Sequence, residues 1–326
     1  MANSSGKQKF VIGITVFLII VGLLLLIGFV VINQLTSLLS SKCVAEIDID
    51  YPITVEGIPE AIFSSGYPSS EEVATKIREL NDRDDVAAVL VVYNSGGGST
   101  VASKEIYDAM KDLKKPKVAY FRETAASGAY YIASASDYIV SEPYALTGNI
   151  GVVGTVVSMD GLLEKIGINT TSFTSGKHKD IGSPLREMTP EEKQIMQNIV
   201  NEIFQDFKQV VLENRKGKIN LARSEEIFDG RIFTGKQAKE VGLVDEIGNK
   251  RTAILKAAEY GGIKAKKPED VRICKIDIRQ ESNPLFGMQT FIQKFSSEFN
   301  TGVSVSYTHL RAHETPEHLV CRLLLE

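Results

Sequence analysis

The chain has 326 residues, a formal net charge of −4 at pH 7, 43% hydrophobic residues and 24% charged residues. This length accommodates one large or two small domains with a hydrophobic core, and no basic stripe indicates nucleic-acid binding. The three cysteines, Cys43, Cys274 and Cys321, are widely spaced and odd in number. Their pattern excludes a disulfide scaffold and a CxxC-type metal site, and we predict neither a metal ion nor another cofactor.

The N-terminal part of the sequence contains a long apolar segment, Phe10–Ile32, without a charged residue. As a helix it would extend about 34 Å, enough to cross the ~30 Å core of a bilayer. Lys7 and Lys9 precede it, so the positive-inside rule places residues 1–9 in the cytoplasm. A cleaved signal peptide is the alternative, although its apolar region is usually only about 7–15 residues long. We predict a single-pass anchor in the cell membrane at residues 10–32, a stalk at 33–43 and a domain outside the cytoplasm.

Strand-like and helix-like segments alternate after the stalk. Val86–Tyr93 is continuously apolar, which is typical of a parallel strand buried on both faces. Ser69 and Glu72 form a capping box that predicts the start of a helix. The other strands predicted are Val44–Tyr51, Lys117–Tyr120, Tyr138–Val140 and Val152–Ser158, with a helix over about Val101–Leu113 and a further helix carrying Ser127. This order predicts an α/β domain of layered βαβ units over residues 44–265.

The C-terminal part of the sequence begins with a second strong helix signal. Thr189 is followed by Pro190 and then by a glutamate at the third helical position. The apolar stripe behind it, from Ile195 to Val211, predicts packing on the core or on a neighbouring subunit. Residues 266–305 are predicted to be a C-terminal extension. Residues 306–326 contain three of the four histidines, but they resemble translated vector sequence, so we treat them as a non-native tail without function.

Consecutive glycines, Gly96–Gly98, follow the apolar strand directly. Backbone N–H groups of such a loop can bind an anion or a carbonyl oxygen. A phosphate-binding loop is one interpretation, but the Gly-Lys-Ser/Thr and GxGxxG patterns are missing. An oxyanion hole is the other interpretation, and it requires a nucleophile nearby.

Ser127, in the segment TAASGAY, is a candidate nucleophile at the start of a predicted helix. The alternative is a small residue selected only for tight helix packing. His178 is the one histidine outside the tail, and Lys177 and Lys179 flank it. Lysine ordinarily has a pKa near ~10.4, and burial in an apolar pocket lowers the pKa of such an amine by up to about 3–5 pH units. Either a histidine or a buried lysine could therefore accept the serine proton.

Four motifs together resemble one family of proteases. They are NSGGG, AASGAYYIA, SGKHKDIGSP followed by REMTPEE, and DGRIFTGKQAKEVGLVDEIG. Over most of residues 44–250 the chain resembles the single-length bacterial or archaeal form of signal peptide peptidase A. Members of this family are membrane-anchored serine–lysine proteases with the Clp protease/crotonase-like fold. The resemblance implies a homo-oligomeric ring that degrades cleaved signal peptides and other hydrophobic peptides.

The resemblance also assigns roles to particular residues. It makes Ser127 the nucleophile and Lys179 the general base, with Asp180 as a supporting neighbour. Gly97 becomes the expected oxyanion-hole donor, with a contribution from Gly98 or Gly128. A dry site, crowded by small apolar residues, would let the lysine lose its proton.

Two positions depart from the family pattern. Gly96 stands where the family generally has proline, and Asn149 stands where relatives commonly have a serine that hydrogen-bonds the lysine amine. We expect the Asn149 side-chain oxygen to accept that bond instead. The departures leave open a catalytically weak or inactive peptide-binding membrane scaffold, and the fold is also compatible with a crotonase-like acyl-CoA enzyme.

Overall fold

The computed structural model describes residues 13, 18–29, 31, 42–59 and 66–278, and residues 18–29 are helical. In this described part of the chain, no helix combines the length and the apolar character needed to span a bilayer. Residues 13, 18–29 and 31 of the predicted anchor are described, whereas most of the predicted stalk and the tail at 306–326 lie outside the described residues.

Eight strands of the described chain form one sheet in the order β6-β5-β3-β2-β1-β8, and β4 pairs with β3 and β7. All pairs are parallel except β5 with β6. The strands are β1 (Cys43–Ile49), β2 (Val86–Ser95), β3 (Lys117–Ala126), β4 (Tyr138–Ser141), β5 (Leu146–Gly148), β6 (Ile232–Thr234), β7 (Glu246–Ile247) and β8 (Ile273–Lys275). Parallel strands joined through helices confirm the predicted mixed α/β class.

Strand β3 has two different neighbours on one side. Its first half, from Val118 to Phe121, pairs with β4, and its last residues, Thr124–Ala126, pair with β5. The sheet therefore divides along β3, and the end of β3 lies between the end of β2 and the short strand β5. Because β2, β3 and β5 run in parallel, their C-terminal ends meet at one edge.

The helices follow the predicted start signals closely. Ser69 caps the first helix in a capping box with Glu72, and Thr189 caps the longest helix in a capping box with Glu192. The α-helices are α1 (Ser70–Glu79), α2 (Thr100–Asp112), α3 (Gly128–Ala133), α4 (Asp160–Lys165), α5 (Pro190–Asn214), α6 (Ser224–Ile227), α7 (Gly235–Glu240) and α8 (Lys250–Tyr260). Both helix starts predicted from capping boxes are confirmed.

The hydrophobic core occupies both faces of the sheet. Alternate residues of β2 face opposite sides, with Val91 in one cluster and Leu90 in the other. Helices α1, α2 and α3 cover the first face, and α8 covers the second. The continuous apolar run in β2 is thus explained by burial on both sides, as predicted.

One predicted strand is wrong. Residues 151–159 have no regular secondary structure, and Val153 and Val157 are 79% and 65% exposed. An apolar segment becomes a strand only when a neighbouring strand supplies hydrogen-bond partners, and the described residues supply none here. The long helix α5 differs along its length, because Phe207 and Val211 are buried whereas Ile199 is 46% exposed.

A disulfide between Cys43 and Cys274 corrects the expectation drawn from the cysteine count. The two residues are 231 positions apart in sequence, and their Cα atoms are 5.9 Å apart. Cys43 begins β1 and Cys274 lies in β8, and these strands are parallel neighbours. The pairing depends on a strand within residues 266–305, the segment predicted only as an extension, so the cysteine spacing gave no sign of it.

We predict that the double variant Cys43→Ser/Cys274→Ser is less stable than the wild type by about 2–4 kcal/mol, because the unfolded chain loses a long covalent loop. Thermal melting without reductant measures the difference. Wild-type protein treated with dithiothreitol should melt like the double variant, which itself should not respond to the reductant. Identical melting of the two untreated proteins would contradict the prediction.

Candidate active site

Ser127 lies at the junction between β3 and α3. It is the N-cap of α3 and has φ 53° and ψ −124°. Its N–H donates to the Gly148 carbonyl at 2.9 Å, and its own carbonyl accepts from Tyr131 N–H at 2.9 Å. A left-handed φ is uncommon for a residue with a side chain and is a form of strain found at functional sites. Ser127 is half-buried, whereas its neighbours Ala126 and Gly128 are buried.

The glycine loop packs against this turn without space for side chains. A Cβ on Gly97 would lie 2.6 Å from the backbone nitrogen of Gly128, and Gly97 has φ +96°. A Cβ on Gly98 would lie 2.0 Å from the Ile53 carbonyl oxygen. A Cβ on Gly128 would lie 2.2 Å from Ser103 Oγ. Gly97 is therefore needed for the loop after β2 to touch the start of α3, Gly98 for the loop to pack on Ile53, and Gly128 for α3 to pack on Ser103.

The N–H groups of these glycines have different partners. Gly97 N–H donates to Ser95 Oγ at 3.2 Å, and the Ser95 hydroxyl donates in turn to the Tyr51 carbonyl at 2.6 Å. Gly98 N–H has no acceptor among the described residues. Gly128 is the first residue of α3, and the N–H groups of a first helical turn have no acceptor within the helix. The geometry therefore favours Gly98 and Gly128 over Gly97 as donors to a bound oxygen. Sequence reasoning missed the hydroxyl of Ser95.

Asn149 follows the residue that accepts the Ser127 N–H. Its backbone has φ 50°, a region that asparagine tolerates better than most residues. Its N–H donates to the Arg231 carbonyl at 2.8 Å, and its Nδ2 donates to the Gly230 carbonyl at 2.6 Å. These bonds engage two donors of Asn149 and orient its side-chain amide.

Lys179 lies in a separate segment, residues 175–187, which we call the lysine loop. The Lys179 side chain is exposed. Within the described chain it has no ion pair, and no hydrogen bond joins its ammonium to the Ser127 hydroxyl. Its neighbours are fixed to the first turn of α5, since Lys177 pairs with Glu191 and His178 Nε2 lies 3.3 Å from Glu191 Oε1.

Asp180 is held by a residue that the sequence analysis did not single out. The Arg186 guanidinium binds Asp180 through Nε at 2.8 Å and Nη2 at 2.7 Å. It also binds Glu192 through Nη1 at 2.8 Å and Nη2 at 2.6 Å. Hydrogen bonds from Arg186 lower the pKa of Asp180 and lower the pKa of Glu192 to about 2. The REMTPEE motif contains Arg186 and Glu192, and Asp180 lies in the preceding SGKHKDIGSP motif, but only the folded loop shows that the three side chains meet.

The described chain thus brings together one part of the predicted site. Ser127, Gly98, Gly128 and Asn149 form one cluster at the C-terminal ends of β2, β3 and β5. Lys179 and Asp180 belong to the lysine loop at the start of α5. The arrangement offers a strained serine, two N–H donors and an amide oxygen for acyl-group chemistry.

Comparison with known proteins identifies the class. The model of peptidase family S49 matches residues 109–264, and that of Clp protease matches residues 64–143. A Methanocaldococcus jannaschii protein named as a protease is 37% identical over 235 residues, which cover 72% of this chain and 73% of that protein. An Enterococcus faecium protein named as signal peptide peptidase SppA is 34% identical over 218 residues, or 66% of this chain and 62% of its own length.

A more distant relative carries an explicit class name. The chloroplastic serine protease SPPA of Arabidopsis thaliana is 32% identical over 219 residues, which cover 66% of this chain and 32% of that protein. The chain therefore belongs to peptidase family S49 and is a serine protease. The resemblance noted from the four sequence motifs is confirmed.

We predict that Gly128→Ala lowers peptidase activity and stability, because the new methyl group collides with Ser103 Oγ; overpacking of this kind costs about 1–3 kcal/mol. Adding Ser103→Ala removes that oxygen and should restore part of both. Peptide hydrolysis and thermal melting measure the effects, with Ser103→Ala alone as the control. A double variant no better than Gly128→Ala would contradict the packing explanation.

We predict a pH-dependent effect for Glu192→Gln. Glutamine keeps the capping hydrogen bond at the third helical position but loses the charge bound to Arg186. A carboxylate with a lowered folded-state pKa stabilises above its ordinary value of ~4.3, and this contribution is lost as pH falls. The melting temperature should therefore be lower than that of the wild type at pH 7, and the gap should close as pH falls towards about 2. A gap that is unchanged or wider at acid pH would contradict this.

Proposed function

We propose that this S49 protease is a membrane-anchored endopeptidase in which Ser127 is the nucleophile and Lys179 the general base. Its proposed substrates are cleaved signal peptides and other hydrophobic peptides. The observation that carries the proposal is the strained Ser127 turn, placed against the free N–H groups of Gly98 and Gly128.

The proposed reaction begins when the Ser127 hydroxyl gives its proton to the Lys179 amine and its Oγ attacks the peptide carbonyl carbon. The carbonyl oxygen becomes an oxyanion, and Gly98 and Gly128 N–H groups stabilise it. The C–N bond then breaks, and the leaving amine takes the proton from Lys179. Water, activated by the same lysine, hydrolyses the acyl-enzyme and frees Ser127.

A second copy of the chain completes the site in this proposal. Lysine acts as a base only where water is excluded, and Lys179 is exposed in one chain. The segment before the lysine loop, which contacts it through Met159 N–H and the Pro184 carbonyl at 2.7 Å, carries exposed apolar side chains, including Val153, Val157 and Phe173 at 79%, 65% and 95% exposure. Burial of these side chains in a homo-oligomeric ring would exclude water from Lys179 and cover the apolar groups.

The proposed location is the outer side of the cell membrane, with the apolar segment Phe10–Ile32 as the anchor. The lysines before that segment support this orientation. The Cys43–Cys274 disulfide gives independent support, because disulfides persist in oxidising compartments and are rare in the cytoplasm. The name of the Enterococcus faecium relative supports signal peptides as substrates.

We predict that Ser127→Ala and Lys179→Ala each lower kcat for an apolar fluorogenic peptide by at least about 10³-fold, because the nucleophile and its base act as a unit. The full chain in detergent micelles is the enzyme for this assay. Lys177→Ala, two positions away on the same exposed loop, is the matched control and should keep most of the activity.

Two results would count against the proposal. Full activity of Lys179→Ala would remove the proposed base, and loss of activity in Lys177→Ala with retention in Lys179→Ala would move that role to the other lysine. Assembled wild-type protein that cleaves no peptide would favour the peptide-binding scaffold instead.

A further inference from the structure

The lysine loop is made of turns and contains no helix or strand. Around Lys179, its backbone hydrogen bonds join residues three positions apart, as from Lys179 N–H to the Gly176 carbonyl at 3.1 Å and from Ser183 N–H to the Asp180 carbonyl at 3.0 Å. One backbone bond joins the loop to another element, from Met159 N–H to the Pro184 carbonyl at 2.7 Å, beyond Asp180 in sequence. The internal bonds shape the part around Lys179 but do not fix its orientation towards the rest of the domain. That orientation depends on contacts with other elements.

The strongest of these contacts is the double bridge through Arg186. One guanidinium binds both Asp180, the residue next to Lys179, and Glu192, the glutamate of the capping box at the start of α5. Four of its hydrogen bonds to these two carboxylates measure 2.6–2.8 Å. Two-pronged binding of this kind fixes both distance and direction, which a lysine cannot do.

Glu192 provides a fixed reference point for the loop. Its side chain is 2% exposed, and it accepts a hydrogen bond from Thr189 N–H at 2.9 Å within the capping box. Helix α5, which has Glu192 in its first turn, packs into the core further along through Phe207 and Val211. Movement of Asp180 relative to Glu192 is therefore movement of Lys179 relative to the protein.

Loss of the guanidinium would separate the two carboxylates. Asp180 Oδ1 and Glu192 Oε1 both accept from the same nitrogen, Nη2 of Arg186. Without the cation between them these like charges repel each other, and the buried Glu192 loses its partner. Since Glu192 is held by its helix, Asp180 is the residue that moves, and Lys179 moves with it.

We propose that Arg186 is a positioning residue of this protease, which sets the place of the Lys179 amine by tying Asp180 to the first turn of α5. The inference rests on the proposed role of Lys179 as general base. It goes beyond that role because it names the interaction that aims the base.

The test uses the full chain with Arg186→Gln and Arg186→Lys, assayed for peptide hydrolysis. We expect kcat of Arg186→Gln to fall by about 10- to 100-fold, the loss typical of a catalytic group displaced by ~1 Å. KM for the peptide should change little, because Arg186 is proposed to act on the base and not on the bound peptide. Arg186→Lys keeps one charge but cannot hold both carboxylates, so it should recover only part of kcat.

A rescue experiment separates positioning from general stability. Millimolar guanidinium ion should restore part of kcat to Arg186→Gly, whereas sodium chloride at equal concentration should not. Arg251→Gln is the matched control, because Arg251 of α8 forms an exposed ion pair with Glu269 and should be dispensable. Unchanged kcat in Arg186→Gln, an effect on KM alone, or no recovery of Arg186→Gly with guanidinium ion would overturn the proposal.

The outcomes distinguish this inference from the proposed function. If Lys179→Ala is inactive and Arg186→Gln behaves as wild type, only the positioning role fails. If Lys179→Ala keeps full activity, the proposed base fails, and the role of Arg186 fails with it.

Discussion

The site depends on one constraint, the close contact between the turn after β3 and the glycine loop after β2. Strand β3 changes partners from β4 to β5 along its length, and directly after this change Ser127 adopts its left-handed φ. The bond from Ser127 N–H to the Gly148 carbonyl ties the turn to β5. On its other side, a Cβ on Gly97 would lie 2.6 Å from the backbone nitrogen of Gly128, so the glycine loop and the start of α3 are in close contact. The three parallel strands thus hold Ser127 in a strained backbone conformation, which the segment would not keep outside the folded protein.

The two parts of the proposed dyad are held by different forces. The serine turn is fixed by backbone hydrogen bonds and by close packing in a buried part of the sheet. The lysine loop is fixed largely by charged side chains at the start of α5. Packing responds little to pH and salt, whereas partly exposed ion pairs respond to both. The lysine loop is therefore the part of the site through which solution conditions and assembly would act.

Local sequence patterns predicted much of the fold. The apolar run in β2, the two capping boxes and the small residues around Ser127 are each set by near neighbours in sequence, and the structure has the corresponding elements. The failures share a different cause. The segment Val152–Ser158 lacks a partner strand in the described chain, and the disulfide needs β1 and β8 to be neighbours. Such pairings depend on the tertiary fold.

The same reasoning applies within the site. The glycines indicated an oxyanion-binding loop, but the use of Gly97 N–H by Ser95 appears only when the loop is folded. Likewise, the contacts of Arg186 with Asp180 and Glu192 could not be predicted from SGKHKDIGSP and REMTPEE, because they form only when the loop between the two motifs is folded. The resemblance to a known family located Ser127 and Lys179 in sequence, and the geometry adds what surrounds each.

The most direct measurement of the central claim is covalent labelling of the assembled full-length protein with a fluorophosphonate, with the modified residue located by mass spectrometry. The probe requires a serine hydroxyl that is activated by a base and faces an oxyanion hole. We predict modification at Ser127 in the wild type and a labelling rate at least about 10²-fold lower in Lys179→Ala. Labelling at another serine, or an equal rate in both proteins, would contradict the account.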